Sequence, residues 1–124
     1  MSNFKDYEFK CKCGCELNLT QPELIDLLEF IRADLGHHPL YILSGTRCPT
    51  HNANVGGSSG SRHMQGLAAD VYSHFSNAQD IAGAAEKYLK GQGGISPKTT
   101  ACHVDVDLSR SYRRNIQGNL NKLN

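Results

Sequence analysis

Tryptophan is missing from this 124-residue chain, and only 7% of its residues are aromatic. The core is therefore expected to be modest and built on aliphatic side chains. No charge sign dominates: 13 Lys+Arg stand against 12 Asp+Glu, a formal net charge of +1. That balance removes the whole-chain basic footprint of a nucleic-acid binder, so no nucleic-acid partner is expected. No apolar run approaches the roughly 20 residues of a membrane span, so no membrane insertion is expected either. The opening MSNFKDYEFK lacks the apolar stretch of a secretory signal. Synthesis in the cytoplasm without a signal peptide is the expectation. The chain is too short for two full cores, and a single domain over 1–124, working as a monomer, is expected. At 39% hydrophobic and 20% charged residues it has a globular rather than a disordered composition.

The five cysteines are an odd number, which excludes a fully paired intramolecular disulfide framework. Three crowd into Cys11-Lys12-Cys13-Gly14-Cys15, and the others are Cys48 and Cys102. The C-x-C spacing suits thiolate metal ligation better than a Cys11–Cys13 disulfide, whose ring would be strained. The second C-x-x-C of a zinc ribbon is absent. Three readings stay open: a second structural metal site on Cys11, Cys13, Cys15 and Cys48, a disulfide to Cys48 or Cys102, or reduced and buried thiols.

The patterning predicts an α+β fold with a small antiparallel sheet and two main helices. Thr20 can cap a first helix, with Glu23 closing the capping box and Pro22 in the first turn. Leu24, Ile25, Leu27, Leu28, Ile31 and Leu35 recur at helical spacing, and Gly36 stops the run. Residues 40–43 read as a short buried strand, 45–62 as a long functional loop, and 67–72 as a second strand. A capping box on Ser76 and Gln79 opens a second helix ending near Leu89. Residues 91–100 read as a polar turn region, and 102–108 alternate as a third strand. The tail over 115–124 is polar and expected to fray or form a short helix.

Two segments carry candidate chemistry: Ser61-Arg62-His63-Met64-Gln65-Gly66-Leu67-Ala68-Ala69-Asp70, and His103-Val104-Asp105-Val106-Asp107. A hydrolytic zinc centre needs three protein ligands and one open position, which two imidazoles and a carboxylate can supply. On a strand, His103, Asp105 and Asp107 share one face, and Val104, Val106 and Leu108 the other. From spacing alone a strand histidine is more often structural, and the other reading of Asp70 is a turn or salt-bridge carboxylate.

The pattern Ser-x-His-x-x-Gly-x-Ala-x-Asp followed by a strand His resembles the zinc DD-carboxypeptidase and murein endopeptidase family, which shares its fold with hedgehog signalling domains. Ser44-Gly45-Thr46-Arg47 is similar to that family's Ser-Gly-Tyr-Arg segment, and His103-Val104-Asp105-Val106 to its last ligand strand. Phe9-Lys10-Cys11-Lys12-Cys13-Gly14-Cys15 resembles the start of its small phage-type members. The likeness runs from about Phe9 to Arg114.

The resemblance implies Zn2+ held by His63, Asp70 and His103, and a peptidoglycan stem-peptide substrate at the bacterial cell wall, as for a phage endolysin. It implies that Arg47 binds the substrate carbonyl or carboxylate and stabilises the developing oxyanion, and that Ser61 orients its loop or contacts substrate. Many relatives place a Glu shortly before the last His, where this chain has Lys98, Thr99, Thr100, Ala101 and Cys102. Asp105 is then the candidate general base, the other reading being an acceptor that orients a ligand histidine. Thr46 replaces a common aromatic, and Tyr112-Arg113-Arg114 stands where a Trp is common. The missing Glu also admits an alternative of another class: a zinc-containing binding module, or a phage structural domain of the same fold, without catalysis. Short loops favour an open groove over a closed dipeptide pocket.

Overall fold

Helix α1 (Pro22–Asp34) turns Leu24, Leu27, Leu28 and Ile31 into the core, the i, i+3, i+4, i+7 stripe of an amphipathic helix. This computed structural model describes residues 3–115. The expected fraying of 115–124 lies, Asn115 apart, outside the described residues. Strand β1 (Tyr41–Ser44), the short helix α2 (Pro49–Asn54), β2 (Ala68–Tyr72), α3 (Ala78–Leu89), β3 (Gly93–Pro97), β4 (Cys102–Asp105) and β5 (Ser111–Arg113) follow. Two 3-10 turns, Asp6–Glu8 and Arg62–Gln65, complete the elements.

The five strands form one sheet in the order β1-β2-β4-β3-β5. All pairings are antiparallel except β3 with β5, which is parallel. The fold is α+β as expected, with α1 and α3 as its main helices, and the parallel edge makes the sheet mixed. Helices α1 and α3 pack on each other, and α3 lies on β3 and β4. Ala69, Val71, Ile95, Cys102 and Val104 meet them from the sheet in one apolar cluster. Strand alternation then sends Asp70, His103 and Asp105 to the opposite face.

Several local expectations shift. Gln21 rather than Thr20 caps α1, with Pro22 at the first helical position, while the Thr20 hydroxyl donates to Asn18 Oδ1 at 2.6 Å. The α3 capping box is Asn77 with Asp80, one residue later than Ser76 with Gln79. Asn77 Oδ1 accepts the Asp80 N–H at 2.8 Å, and Asp80 Oδ2 accepts the Asn77 N–H at 3.0 Å. The loop over 45–62 contains α2, started by Pro49 after Cys48.

The turn expected over 91–100 is instead strand β3, buried at all five positions. Its glycine content answers to a neighbour. Gly94 pairs with Asp105, and a Cβ on Gly94 would lie 2.1 Å from Asp105 Oδ2. The third strand stops at Asp105, short of Leu108, and Asp107 enters a turn where Arg62 Nε donates to its Oδ2 at 2.8 Å. Asp107 is thus paired with Arg62.

Candidate metal centre

His63 is set by the 3-10 turn Arg62–Gln65. Ser61 caps it, its Oγ accepting the His63 N–H at 3.3 Å. Gly66 ends it at φ 72°, where a Cβ would sit 1.9 Å from the Leu19 carbonyl oxygen. The turn thereby delivers the buried His63 ring beside β2. Asp70 and His103 reach the same point from β2 and β4, where they are direct partners in the ladder.

Hydrogen bonds behind the rings fix their free nitrogens. His63 Nδ1 lies 2.8 Å from the Gly45 carbonyl oxygen, which can only accept, so Nδ1 carries the hydrogen and Nε2 a lone pair. His103 Nε2 lies 2.8 Å from Asp105 Oδ2, so its hydrogen sits there and Nδ1 is free. Both free nitrogens are 3.3 Å from Asp70 Oδ1. That oxygen is buried and has no hydrogen-bond partner. Three lone-pair donors thus converge, their ligand atoms within 4.8 Å of one another. An unpaired buried carboxylate oxygen facing two imidazole lone pairs is costly unless a cation joins them. The donor set of two nitrogens and one oxygen suits zinc.

In the metal-free protein the same carboxylates favour protons nearby. Burial works against charge on His103, but the hydrogen bond to Asp105 and the nearby Asp70 carboxylate outweigh this and raise it above the ordinary histidine range. Burial likewise opposes charge on Asp70, yet the His103 and His63 rings beside it hold it far below the usual carboxylate range. A metal ion competes with those protons for the same lone pairs.

Arg47 closes the other side of Asp70. Its NH2 group donates to Asp70 Oδ2 at 3.2 Å, Nε to Ser44 Oγ at 3.1 Å, and NH1 to Asn52 Oδ1 at 3.3 Å. Three of its five N–H groups are thereby used, and the guanidinium still lines the cleft. Asn52 is itself buried and donates to the Ser58 carbonyl at 2.8 Å, so α2 braces Arg47. His51, on the same helix, is outside the cleft lining.

Asp105 stands behind the centre, not in it. Its side chain has no exposure. Oδ2 accepts from His103 and from Arg110 NH2, and Oδ1 accepts the Asp107 N–H at 3.2 Å. Neither oxygen faces the cleft. Burial opposes its charge, and the His103 and Arg110 contacts overcome this and keep it ionised below the ordinary range.

The cleft over the three donors encloses about 380 Å³. Its wall carries Arg47, Arg62, Lys98, Arg110 and Arg114, and among the described residues Asp70 is its only acid. Arg110 and Arg114 both stack against the Tyr112 ring. In the sequence Tyr112 and Arg114 stand out only by their place where a Trp is common, and Arg110 carries no signal of its own. Arg110 becomes visible only once the turn after β4 folds it back onto Asp105.

Cys11, Cys13, Cys15 and Cys48 gather in a second cluster, apart from Cys102. Burial in the core pushes the Cys102 thiol up to about 12.

Two histidines and a carboxylate, converging over one face of this sheet, define a metal-site protein. Residues 2–105 match the family model described as Peptidase M15. The chain belongs to the Peptidase M15 family, and zinc is its cofactor. It is also 48% identical over 44 residues to a zinc D-Ala-D-Ala carboxypeptidase from Streptomyces albus G. That match covers 36% of this chain and only 17% of the relative's length.

Proposed function

We propose that this protein is a zinc-dependent metallopeptidase that hydrolyses an amide bond in peptidoglycan stem peptides, acting as a monomer at the bacterial cell wall. The observation that carries this reading is the unpartnered Asp70 Oδ1 facing the free nitrogens of His63 and His103. The name of the Streptomyces relative supports the substrate class. So does a cationic cleft, since stem peptides bear carboxylates.

His63 Nε2, Asp70 Oδ1 and His103 Nδ1 would hold the metal. When bound, zinc supplies Lewis-acid activation of water and of the scissile carbonyl. The chain's residues do the rest of the positioning. Gly45 and Asp105 hold hydrogens on the far nitrogens of the two rings and so keep the near lone pairs available. Arg47 fixes the second oxygen of Asp70 and presents its two remaining N–H groups to a substrate carbonyl, where developing negative charge is stabilised. Ser61 orients the His63 turn. On this reading Asp105 is a positioning residue and not the general base expected from its sequence position, because both its oxygens are committed and buried.

Among the described residues no second acid lines the cleft. That observation favours one alternative, a zinc-holding recognition domain. The test is digestion of purified peptidoglycan with mass spectrometry of the products, paired with metal analysis. Chelation should abolish product release and added zinc restore it. His63→Ala, Asp70→Ala and His103→Ala should each lose zinc from the cleft and activity together. Tight murein binding without any released peptide, by fully zinc-loaded protein, would decide for the recognition domain.

A further inference from the structure

We propose that Cys11, Cys13, Cys15 and Cys48 form a tetrathiolate zinc site that pins the N-terminal segment to the start of α2. The four sulfurs lie within 4.8 Å of one another, and all are free. Cys13 Sγ is 3.5 Å from Cys11 Sγ and 3.7 Å from Cys48 Sγ. Four sulfurs about 2.3 Å from a tetrahedral zinc stand about 3.8 Å from each other. The observed spacings match the edge of that tetrahedron. A disulfide would select one partner at about 2.05 Å, whereas Cys13 is shared almost evenly between two.

The backbone is arranged for thiolates as well. The Cys48 N–H donates to Cys11 Sγ at 3.3 Å, and the His51 N–H donates to Cys48 Sγ at 3.3 Å. Such N–H donors offset the charge that a tetrathiolate retains on binding a divalent ion. Metal loading ionises the four thiols and releases their protons.

The segment from Phe9 to Gln21 contains no helix or strand. Backbone bonds hold it at a few points, among them Thr46 N–H to the Phe9 carbonyl at 2.9 Å and Cys11 N–H to the Leu17 carbonyl at 2.8 Å. A metal staple here supplies the order that regular structure does not. It also reaches the cleft indirectly. Cys48 directly follows Arg47, and Gly45, two residues earlier, accepts the His63 Nδ1 hydrogen. The thiolate site therefore stabilises the strand-to-helix corner on which both cleft residues depend.

The experiment counts zinc by mass spectrometry on protein prepared under reducing conditions. Wild type should hold about two zinc ions per chain and Asp70→Ala about one. Adding Co2+ to metal-free Asp70→Ala should give a strong thiolate-to-cobalt charge-transfer band. Introducing Cys13→Ser or Cys15→Ser into Asp70→Ala should remove both the remaining zinc and the band. These two residues are exposed, so the variants are expected to fold even if Cys48→Ser does not. Asp70→Ala carrying four titratable thiols but no zinc and no cobalt band would overturn the proposal. So would a disulfide among the four in protein purified without reductant. The readout is made with the cleft site already disabled, so its failure is separate from failure of the peptidase reading.

Discussion

Asp105 Oδ2 lies 2.8 Å from Nε2 of His103, on the side of the ring away from Asp70. At the proposed metal centre, the carboxylate therefore selects which imidazole nitrogen is left for the ion. Asp105→Asn should weaken zinc affinity by about 10–100-fold, the usual cost of losing an acceptor behind a ligand histidine. Saturating zinc should restore most of the rate. A rate that stays near zero with zinc demonstrably bound would instead return the general-base role to Asp105, where a loss of roughly two to four orders of magnitude is expected.

Gly94→Ala should reach the same centre from behind. The new Cβ would stand 2.1 Å from Asp105 Oδ2 and must displace it. The expected result is weaker zinc binding in a chain that still folds, measured by competition with a chromophoric chelator. Unchanged affinity would show that Asp105 can move without cost to His103.

Arg47→Ala should retain zinc at saturating metal and lose activity on the order of a hundredfold, as for removal of an oxyanion donor. Arg47→Lys should recover only part of this. A single ammonium cannot at once reach Ser44, Asn52 and Asp70 and still present donors to the cleft. Full activity in Arg47→Ala, measured with the same substrate, removes it from the mechanism.

The Glu86–Arg113 pair predicts a pH dependence of stability. Arg113 is buried, and its guanidinium bonds Glu86 at 2.8 and 3.0 Å and the carbonyls of Gln92, Gly93 and Tyr112. The Arg113 hydrogen bonds lower Glu86 from its ordinary 4.5 despite partial burial, with help from the Gly91 N–H. A depressed carboxylate stabilises the fold above its unfolded value and stops doing so as pH falls through its folded value. Glu86→Gln should therefore be less stable than wild type at neutral pH, by about 1 kcal/mol after solvent screening of this half-exposed acid. The gap should close as pH falls below about 4.5, as read by denaturant melts across pH.

How much of this was readable beforehand follows from what each feature depends on. His63, Asp70 and His103 were legible because residue type, strand alternation and a turn glycine each point to one face. Helix α1 was legible from its stripe, although its cap moved by one residue because Pro22 takes the first helical position, which leaves Gln21 as the cap, and the Thr20 hydroxyl donates to Asn18 instead. Strand β3 was not legible. Gly93-Gly94-Ile95-Ser96-Pro97 lacks strand propensity, and Gly94 is small because of a carboxylate on the neighbouring strand. The role of Asp105 was open for a related reason. Sequence places it on the same face as His103, but only the folded turn shows Arg110 and the Asp107 N–H occupying its oxygens.

The direct pairing of Asp70 with His103 has a consequence for the order of events in folding. β2 and β4 are separated in the chain by α3 and β3, so this pairing closes one of the longer loops in the molecule. A slip of one residue between the two strands would turn one of the donors into the apolar side of the sheet. At the proposed centre, high-affinity metal capture is thus expected only after a slow, non-local pairing has settled in the correct register. Zinc uptake followed in a refolding experiment should lag helix formation, and its amplitude would count the chains whose strands have aligned.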